Sequence, residues 1–500
     1  MAEDETATIV RTRHGRVRGT VEETVRVWRG IPFARPPVGP LRFAPPVPPD
    51  NWSEIRTAAH FGPSSIQLPL PGHEAGPLAG SEDCLTLNIF SPPADGRRRP
   101  VLVWVHGGGF VRGGSAAFDG TSLVARGAVV IVTVNYRLGP WGFLHLADID
   151  PQAYGGAANP ALLDLVAALR FVADNVAGFG GDPGSVTLFG ESAGAMLIGS
   201  LLAAPAASGL FHRAVLLSGA ARNIRDRDAG TRIAELLLDA TGLSRSEARR
   251  LREIPVEQLY AAAAHTVAAS ASLPLDAEAF LPVIDGTVLP TRPMDAIAAG
   301  AARRIPLLIG TCRDEMNLFL AVAPAVAAGK EVFLRAALGE AACEALAATY
   351  RTVTPAGRNW RSDLLTDSMF WIPALRLAEA QQAAGGAAWQ MRLDHVLAFP
   401  PFDRTGACHA EDLCLIWERF GLSGPSLATA GSAADRMVAH ALQDAILTFA
   451  RSGRPQAPGI AGWPPYAPAE RAMMVFQSTC RIERDPLPER RRAWTALPPH

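Results

Sequence analysis

The sequence predicts an α/β fold, with a mostly parallel central sheet flanked by helices. Three observations predict it. Short β-branched apolar runs recur along the chain, longer helical patterns separate them, and no linker divides the chain into independent parts. The runs Val101–Val105, Ala128–Val134, Val186–Phe189, Ala214–Leu217 and Pro306–Ile309 read as buried strands. Strands apolar on both faces suit a parallel sheet covered by helices on each side. Between the second and third runs, Ala161–Val176 places apolar residues at helical spacing and leaves Asp164, Arg170 and Asp174 for a polar face. Such alternation excludes an all-β fold and a helix bundle. There is no internal repeat, and residues 1–500 are read as a single domain.

The remaining segments follow from local composition. Met1-Ala2-Glu3-Asp4-Glu5 is acidic and lacks the basic–apolar–small pattern of a signal peptide. Ile31 to Pro49 is proline-rich and is expected to wrap the surface without regular structure. Ser65 to Ser81 is a Gly/Pro-rich loop. The most apolar stretch, Ala195 to Phe211, contains Gly199, Ser200 and Pro205; it is too short and interrupted to span a bilayer and reads as a buried core helix. Ala229 to Ala269, rich in Ala, Leu and Arg, reads as a helical insertion over the sheet.

Composition narrows the function classes. With 48% hydrophobic and 19% charged residues in 500, the chain has ample material for a core. A net charge of −1 offers no basic field, so neither nucleic acid nor membrane is an expected partner. Lys330 is the only lysine; it is read as the remainder of a bias toward arginine and not as a binding feature. Six cysteines (Cys84, Cys312, Cys343, Cys408, Cys414 and Cys480) show no zinc-type pairing and are too sparse for a disulfide scaffold. Reduced thiols and a cytoplasmic location are expected, with no metal.

Chemistry enters at Gly190-Glu191-Ser192-Ala193-Gly194, the only G-x-S-x-G in the chain. It lies between a predicted strand and the apolar helix beginning near Ala195. A serine on so sharp a strand-to-helix turn needs small neighbours, and the helix N-terminus beyond it favours developing negative charge. Upstream, Val103-Trp104-Val105-His106-Gly107-Gly108-Gly109-Phe110 is a strand ending in three glycines. Ahead of a nucleophile elbow, that is the position of a loop whose N–H groups hold an oxyanion. Gly108 to Ser115 has the outline of a phosphate loop, but Gly114 stands where the lysine belongs. His106, at the end of a buried strand, is expected to anchor the glycine loop by hydrogen bonds.

A serine hydroxyl needs a base and an acid that orients it, in the chain order Ser, then Asp or Glu, then His. Past the strand Pro306–Ile309, Asp314 and Glu315 are adjacent carboxylates, one of them expected to be solvated and paired with Arg313. Downstream lie His395, His409, His440 and His500. His440 falls in a helical pattern and His500 is terminal. His395 ends a strand-like run, whereas His409 sits in the loop Gly406-Ala407-Cys408-His409-Ala410, which suits a mobile base. Position alone leaves both pairs open.

The chain also resembles, nearly end to end, the type-B carboxylesterases, a family that includes cholinesterases and bacterial nitrobenzyl esterases. The resemblance rests on Gly30-Ile31-Pro32-Phe33-Ala34 with Pro36-Pro37-Val38-Gly39, on Glu82-Asp83-Cys84-Leu85-Thr86-Leu87-Asn88, and on the glycine loop. It continues through Phe179-Gly180-Gly181-Asp182-Pro183, the elbow, and Pro282-Val283-Ile284-Asp285-Gly286. It implies an α/β-hydrolase fold with helical insertions forming a cap over an active-site gorge. It also implies Ser192 as nucleophile, Glu315 as acid, His409 as base, and the N–H groups of Gly108, Gly109 and Ala193 as oxyanion donors. Leu217 stands where the family often has Gln before Ser218-Gly219, and Asp412 stands where it has a Glu that braces the triad. Glu191, Ser218 and Asp412 are therefore the expected supporting residues. Secreted members pair the cysteine matching Cys84 with one upstream; Ser65 occupies that position here, which leaves Cys84 free. The choline-site tryptophan has no counterpart in Ser65–Ser81, which argues against choline esters.

The implied function is hydrolysis of small carboxylic esters to acid and alcohol through an acyl-enzyme, without cofactor, by a monomer. The rate should rise through one ionisation near neutral pH. Phe110, Trp141, Leu318 and Phe319 are the candidate pocket residues, each equally a candidate for core packing. A catalytically dead adhesion protein of the same fold is disfavoured by the presence of all three triad residues. A lipase would need an exposed apolar lid, which a sequence does not reveal.

Overall fold

In the computed structural model, residues 8–155, 159–270, 278–419, 431–456, 459 and 462–497 are described. The acidic start at Met1–Glu5 and His500 lie outside them. Strands β1 (Ile9–Arg11), β2 (Arg16–Arg18) and β5 (Ile55–Thr57) form a small sheet. The large sheet takes β3 (Thr20–Glu22), β4 (Val25–Pro32), β6 (Thr86–Ser91), β7 (Arg99–Val105), β8 (Val130–Val134), β9 (Gly181–Glu191) and β10 (Arg213–Leu217). It continues with β11 (Leu307–Cys312), β12 (Ala388–Leu393), β13 (Ala472–Phe476) and β14 (Arg481–Arg484). Their order is β14-β13-β12-β11-β10-β9-β7-β8-β6-β4-β3. The seven strands from β13 to β8 run parallel, and the pairs at both edges are antiparallel. All five predicted runs are strands of this sheet.

Alternation along β7 explains why the sheet is covered on both faces. Val101, Val103 and Val105 point into one hydrophobic cluster, with Leu162, Leu165, Leu197 and Ile198 of the helices Pro160–Asn175 and Ala193–Leu201. Leu102 and Trp104 point into the other, with Val438, Leu442 and Ile446 of the helix Ala433–Ser452. Burying one such aliphatic side chain is worth about 1.5–3 kcal/mol. A strand buried from Val101 to Val105 therefore clamps both helical layers. The predicted insertion is present as the helices Arg227–Thr241 and Val256–Ser270. No helix among the described residues is long and apolar enough to cross a membrane.

Two readings of the sequence change. Asp164 is not on a polar face: it is fully buried, and its carboxylate takes Arg137 Nε at 2.8 Å and Nη2 at 2.7 Å. Helical spacing treats a charge as an outward residue, but Arg137, from the segment after β8, supplies the partner that makes burial tolerable. The Pro-rich segment is also more regular than expected. Ile31 and Pro32 belong to β4, where the register against β6 shifts between Trp28 and Ile31, and Gly39–Leu41 forms a 3-10 turn. Proline is tolerated there because it ends the strand.

Parallel strands bring their carboxyl ends to one edge, where α/β sheets form their crevices. Gly107 follows β7, Ser192 follows β9 and Glu315 follows β11.

Candidate active site

Ser192 joins β9 directly to the helix Ala193–Leu201, with φ 54° and ψ −127°. Few non-glycine residues adopt such a backbone, and the surroundings hold it there. A Cβ on Gly194 would lie 2.0 Å from the Val105 carbonyl oxygen, and one on Gly190 would lie 2.7 Å from it. The elbow is therefore pressed against the end of β7, and only glycine fits on either side of the Glu191–Ala193 turn. The turn presents the Ser192 hydroxyl to His409, whose Nε2 is 2.9 Å from Oγ. On the other side of the ring, Nδ1 is 2.7 Å from Glu315 Oε2. Glu315 is fully buried, and its Oε1 accepts the Cys312 N–H at 2.7 Å. Of the two histidines left open by position, His395 lies elsewhere, with Nε2 2.7 Å from Asp435 Oδ1.

The glycine loop passes beside the elbow. A Cβ on Gly107 would meet Glu191 O at 2.8 Å and Ser192 Cβ at 3.0 Å. Gly108 and Gly109 have φ of 113° and 61°. Among the described residues neither donates its N–H within the protein, and Ala193 opens a helix, where N–H groups have no intrahelical acceptor. His106 anchors the loop as expected: its Nδ1–H donates to Gly107 O at 2.9 Å, and the ring stacks on Tyr136. Burial pulls the His106 imidazole down to about 4, so it is neutral.

Carboxylates crowd His409. Glu191 Oε1 is 3.1 Å from Nε2 but makes no hydrogen bond. Burial lowers the imidazole pKa, but the Glu191 charge, the Glu315 hydrogen bond and charge, and the Asp412 charge outweigh it and hold His409 at about 9. Burial raises Glu191 to about 8 against the pull of His409, with Asp412 and Glu315 adding to the rise. Burial and the Glu315 charge raise Asp412 to about 7. Asp412 Oδ1 is buried without a hydrogen-bond partner, as a side chain one methylene too short would leave it. Ser218, fully buried, directs its hydroxyl toward Cys312 Sγ at 3.9 Å.

Asp314 is not the solvated carboxylate of the pair. It is 3% exposed, binds Arg313 through Oδ2 at 2.8 Å and Arg358 through Oδ1 at 2.7 Å, and accepts the Ala407 N–H at 3.2 Å. It ties the end of β11 to the loop that carries His409. Asp314→Asn should therefore cost about 1–3 kcal/mol of stability, the scale for breaking a buried polar contact, and not the few tenths of a surface pair. Denaturant melting checks this; an unchanged midpoint contradicts it.

A cavity of about 650 Å³ opens over Ser192, with mostly apolar walls. Phe110 and Phe319 line it. Trp141 and Leu318 do not. Trp141, on the short helix Gly139–Phe143, is buried in the core and gives its indole N–H to Glu82 Oε1 at 3.0 Å. Leu318 neighbours Phe319 on the helix Met316–Val322 but packs on the opposite hydrophobic cluster. Met316 and Phe319, three residues apart, share the cavity face, whereas successive residues diverge by about 100°. Two residues the sequence did not reveal also bear on the site. Phe370, in the π-helical turn Asp367–Trp371, packs 4.9 Å from the His409 ring, beside Phe319, which is 5.0 Å from that ring and stacks on Phe370 at 6.4 Å. Glu411 accepts the N–H groups of Leu397 at 2.5 Å and Cys408 at 3.1 Å, bracing the histidine loop. Its place two residues after His409 was the available signal. Lys330 also lines the cavity, paired with Glu278. Cys84 is free, beside Ser65, as the resemblance implies.

A model of the carboxylesterase family matches residues 6–494. The para-nitrobenzyl esterase of Bacillus subtilis (strain 168) is 38% identical over 490 residues, covering 97% of each chain. Liver carboxylesterase 1 of Oryctolagus cuniculus is 31% identical over 94% of this chain and 90% of its own. Among solved structures, a Geobacillus stearothermophilus carboxylesterase crystallised at pH 6.2 superposes with a TM-score of 0.85 at 39% identity, covering 97% of this chain and 100% of the other.

Proposed function

The chain belongs to the carboxylesterase family and is a carboxylic ester hydrolase; from that premise we propose that it works through an acyl-enzyme on Ser192, with His409 as base and Glu315 as the acid that orients it. One observation carries the reading: a hydroxyl, an imidazole and a carboxylate stand in a hydrogen-bonded line beside a glycine loop with undirected N–H groups. His409 takes the Ser192 proton as Oγ attacks the ester carbonyl carbon. Charge that develops on the carbonyl oxygen meets the N–H groups of Gly108, Gly109 and Ala193; losing one such donor typically costs about 10²–10³ in rate. His409 then protonates the departing alcohol. In the second half it deprotonates a water that attacks the acyl carbon, and the acid is released. Glu315 holds the imidazole tautomer and stabilises its cation. Glu191, Ser218 and Asp412 support the triad without touching substrate, and Phe110 and Phe319 shape the pocket. Residues 1–500 act as one domain and as a monomer, and six free cysteines are consistent with a reducing cytoplasm. A fluorophosphonate should add to Ser192, and peptide mass spectrometry that finds the adduct on another residue overturns the assignment.

Two further outcomes follow. Only neutral His409 accepts the proton, and the carboxylates around it favour its cation. The rise of kcat/KM with pH is therefore expected above the ordinary imidazole value of about 6.5, and not near neutrality as an isolated histidine would give. The buried cluster titrates as a unit. Glu191→Gln removes one negative charge and should move the limb to lower pH; a limb unmoved in that variant refutes this account. Because backbone N–H groups and the imidazole carry the developing charge, activity is also expected to survive EDTA. Activity lost to EDTA and restored by zinc contradicts the mechanism.

A further inference from the structure

Among the described residues, the ionisable side chains that line the cavity over Ser192 are Arg112, Glu191, Glu278, Lys330 and His409. All but Arg112 meet an opposite charge there. Lys330 holds Glu278, and Glu191 stands 3.1 Å from His409 Nε2. The Arg112 side chain makes neither an ion pair nor a hydrogen bond among the described residues, and it is exposed at the mouth of the cavity. Its backbone, by contrast, is held on every side. The Val111 carbonyl accepts the Leu68 N–H at 2.8 Å, and the Arg112 N–H donates to Gly108 O at 3.1 Å. Gln67 grips Gly113 twice, with Oε1 accepting its N–H at 2.7 Å and Nε2 donating to its carbonyl at 2.9 Å. The chain also folds back onto the glycine loop: a Cβ on Gly108 would lie 2.1 Å from Arg112 O and 3.2 Å from Arg112 Cγ. A guanidinium without a counter-ion is thus carried on a stem that starts beside the loop proposed to hold the oxyanion.

We infer that Arg112 is a specificity residue that selects esters carrying a carboxylate at the end of one arm, as in a half-ester of a dicarboxylic acid or an ester of a phenolic acid. The inference rests on the esterase reading above and adds the charge of the preferred substrate. An ester that fills the apolar cavity displaces water from Arg112, and a cation that loses water without gaining a partner is penalised. A carboxylate supplies that partner, and the planar guanidinium fork can take both of its oxygens. The acids of the cavity wall do not compete for the fork. Glu191 faces the imidazole and Glu278 the ammonium, while Glu315 and Asp412 do not line the cavity. A neutral tip leaves the guanidinium unmatched, and an ammonium tip sets a like charge against it.

The test separates charge from size by pairing each carboxylate ester with its isosteric carboxamide. The acyl arm is probed with 4-nitrophenyl hydrogen adipate against 4-nitrophenyl adipamate, and the alcohol arm with 4-carboxyphenyl acetate against 4-carbamoylphenyl acetate. Each kcat/KM is divided by that ester's rate with hydroxide, which removes intrinsic reactivity, and ratios taken within one preparation cancel the folded fraction. At low salt the wild type should favour the carboxylate in one arm by about three- to tenfold, the scale of one charged contact open to solvent. Arg112→Gln should bring that ratio to about one, and Arg112→Glu should drive it below one. An arginine that served only to hold the loop would instead slow both esters of a pair alike and leave the ratio unchanged. Wild-type ratios at or below one in both arms overturn the inference. So does a ratio that either variant leaves in place, which would move the selection to Lys330 or His409. Absence of hydrolysis of all four esters, with no fluorophosphonate label on Ser192, is a different failure and strikes the esterase reading itself.

Discussion

Replacing Ser192 by alanine is expected to lower kcat by about 10⁶, the scale seen when a serine hydrolase loses its nucleophile, while the fold stays as it is. The rate effect follows from chemistry: without Oγ no acyl-enzyme forms, and His409 has only water to activate. The stability effect follows from geometry. The hydroxyl's hydrogen bond in the protein is to His409 Nε2. The strain of the elbow lies in the backbone at φ 54°, which alanine shares with serine. Gly190 and Gly194 keep the turn pressed on β7 in either case. Melting of the variant should therefore stay within about 0.5 kcal/mol of the parent, as for a substitution that disturbs no packing. Ester binding should persist, because the cavity walls and the glycine loop are untouched. Retention of more than about a hundredth of the rate, far above what oxyanion donors and binding alone would leave, would move the nucleophile elsewhere.

The reach of the sequence differs from one residue to the next, for physical reasons. Ser192 and the glycine loop are legible because their function depends on local backbone: a strained turn or a ligand-facing N–H demands glycine or alanine at fixed spacing. The five central strands are legible for a similar reason, since burial on both faces leaves an unbroken apolar run. The acid and the base are not local. Glu315 and His409 meet across 94 residues, and position alone left Asp314 and His395 as rivals. The motifs shared with the carboxylesterases, and not periodicity, separated them. What stayed hidden depends on tertiary partners. Asp164 looks like an outward charge until Arg137 arrives beside it, and Asp314 looks like one until Arg358 does. Trp141 and Phe319 are equally good pocket aromatics in sequence, but one indole N–H finds Glu82 in the core and the other ring stands beside His409.

Glu315→Gln is expected to cost about 10⁴ in kcat, the magnitude known for the equivalent change in a serine protease triad. The local hydrogen bonds say why the isosteric amide is so damaging. Glu315 Oε1 accepts the Cys312 N–H, and Oε2 faces His409 Nδ1. A glutamine must satisfy the same two neighbours with one oxygen and one NH₂. If the oxygen faces His409, the NH₂ opposes the Cys312 N–H, and two donors meet in a buried place. The amide therefore turns its oxygen to Cys312 and its NH₂ to the imidazole. Nδ1 then has to accept, which puts the ring proton on Nε2, where the lone pair for the Ser192 proton is needed. The substitution also removes a negative charge beside the imidazole, so the activity that remains should rise with pH at lower values than in the parent. A side chain that only held the loop in place would cost rate without moving that limb. Asp314→Asn supplies the contrast: it breaks contacts to Arg313, Arg358 and Ala407 but leaves the carboxylate on the ring. It should melt earlier, keep its pH limb, and retain far more of its rate per folded molecule. If Asp314→Asn proves to be the variant that loses 10⁴ and shifts its pH limb, the acid is Asp314 and the line from Ser192 through His409 ends on the wrong carboxylate.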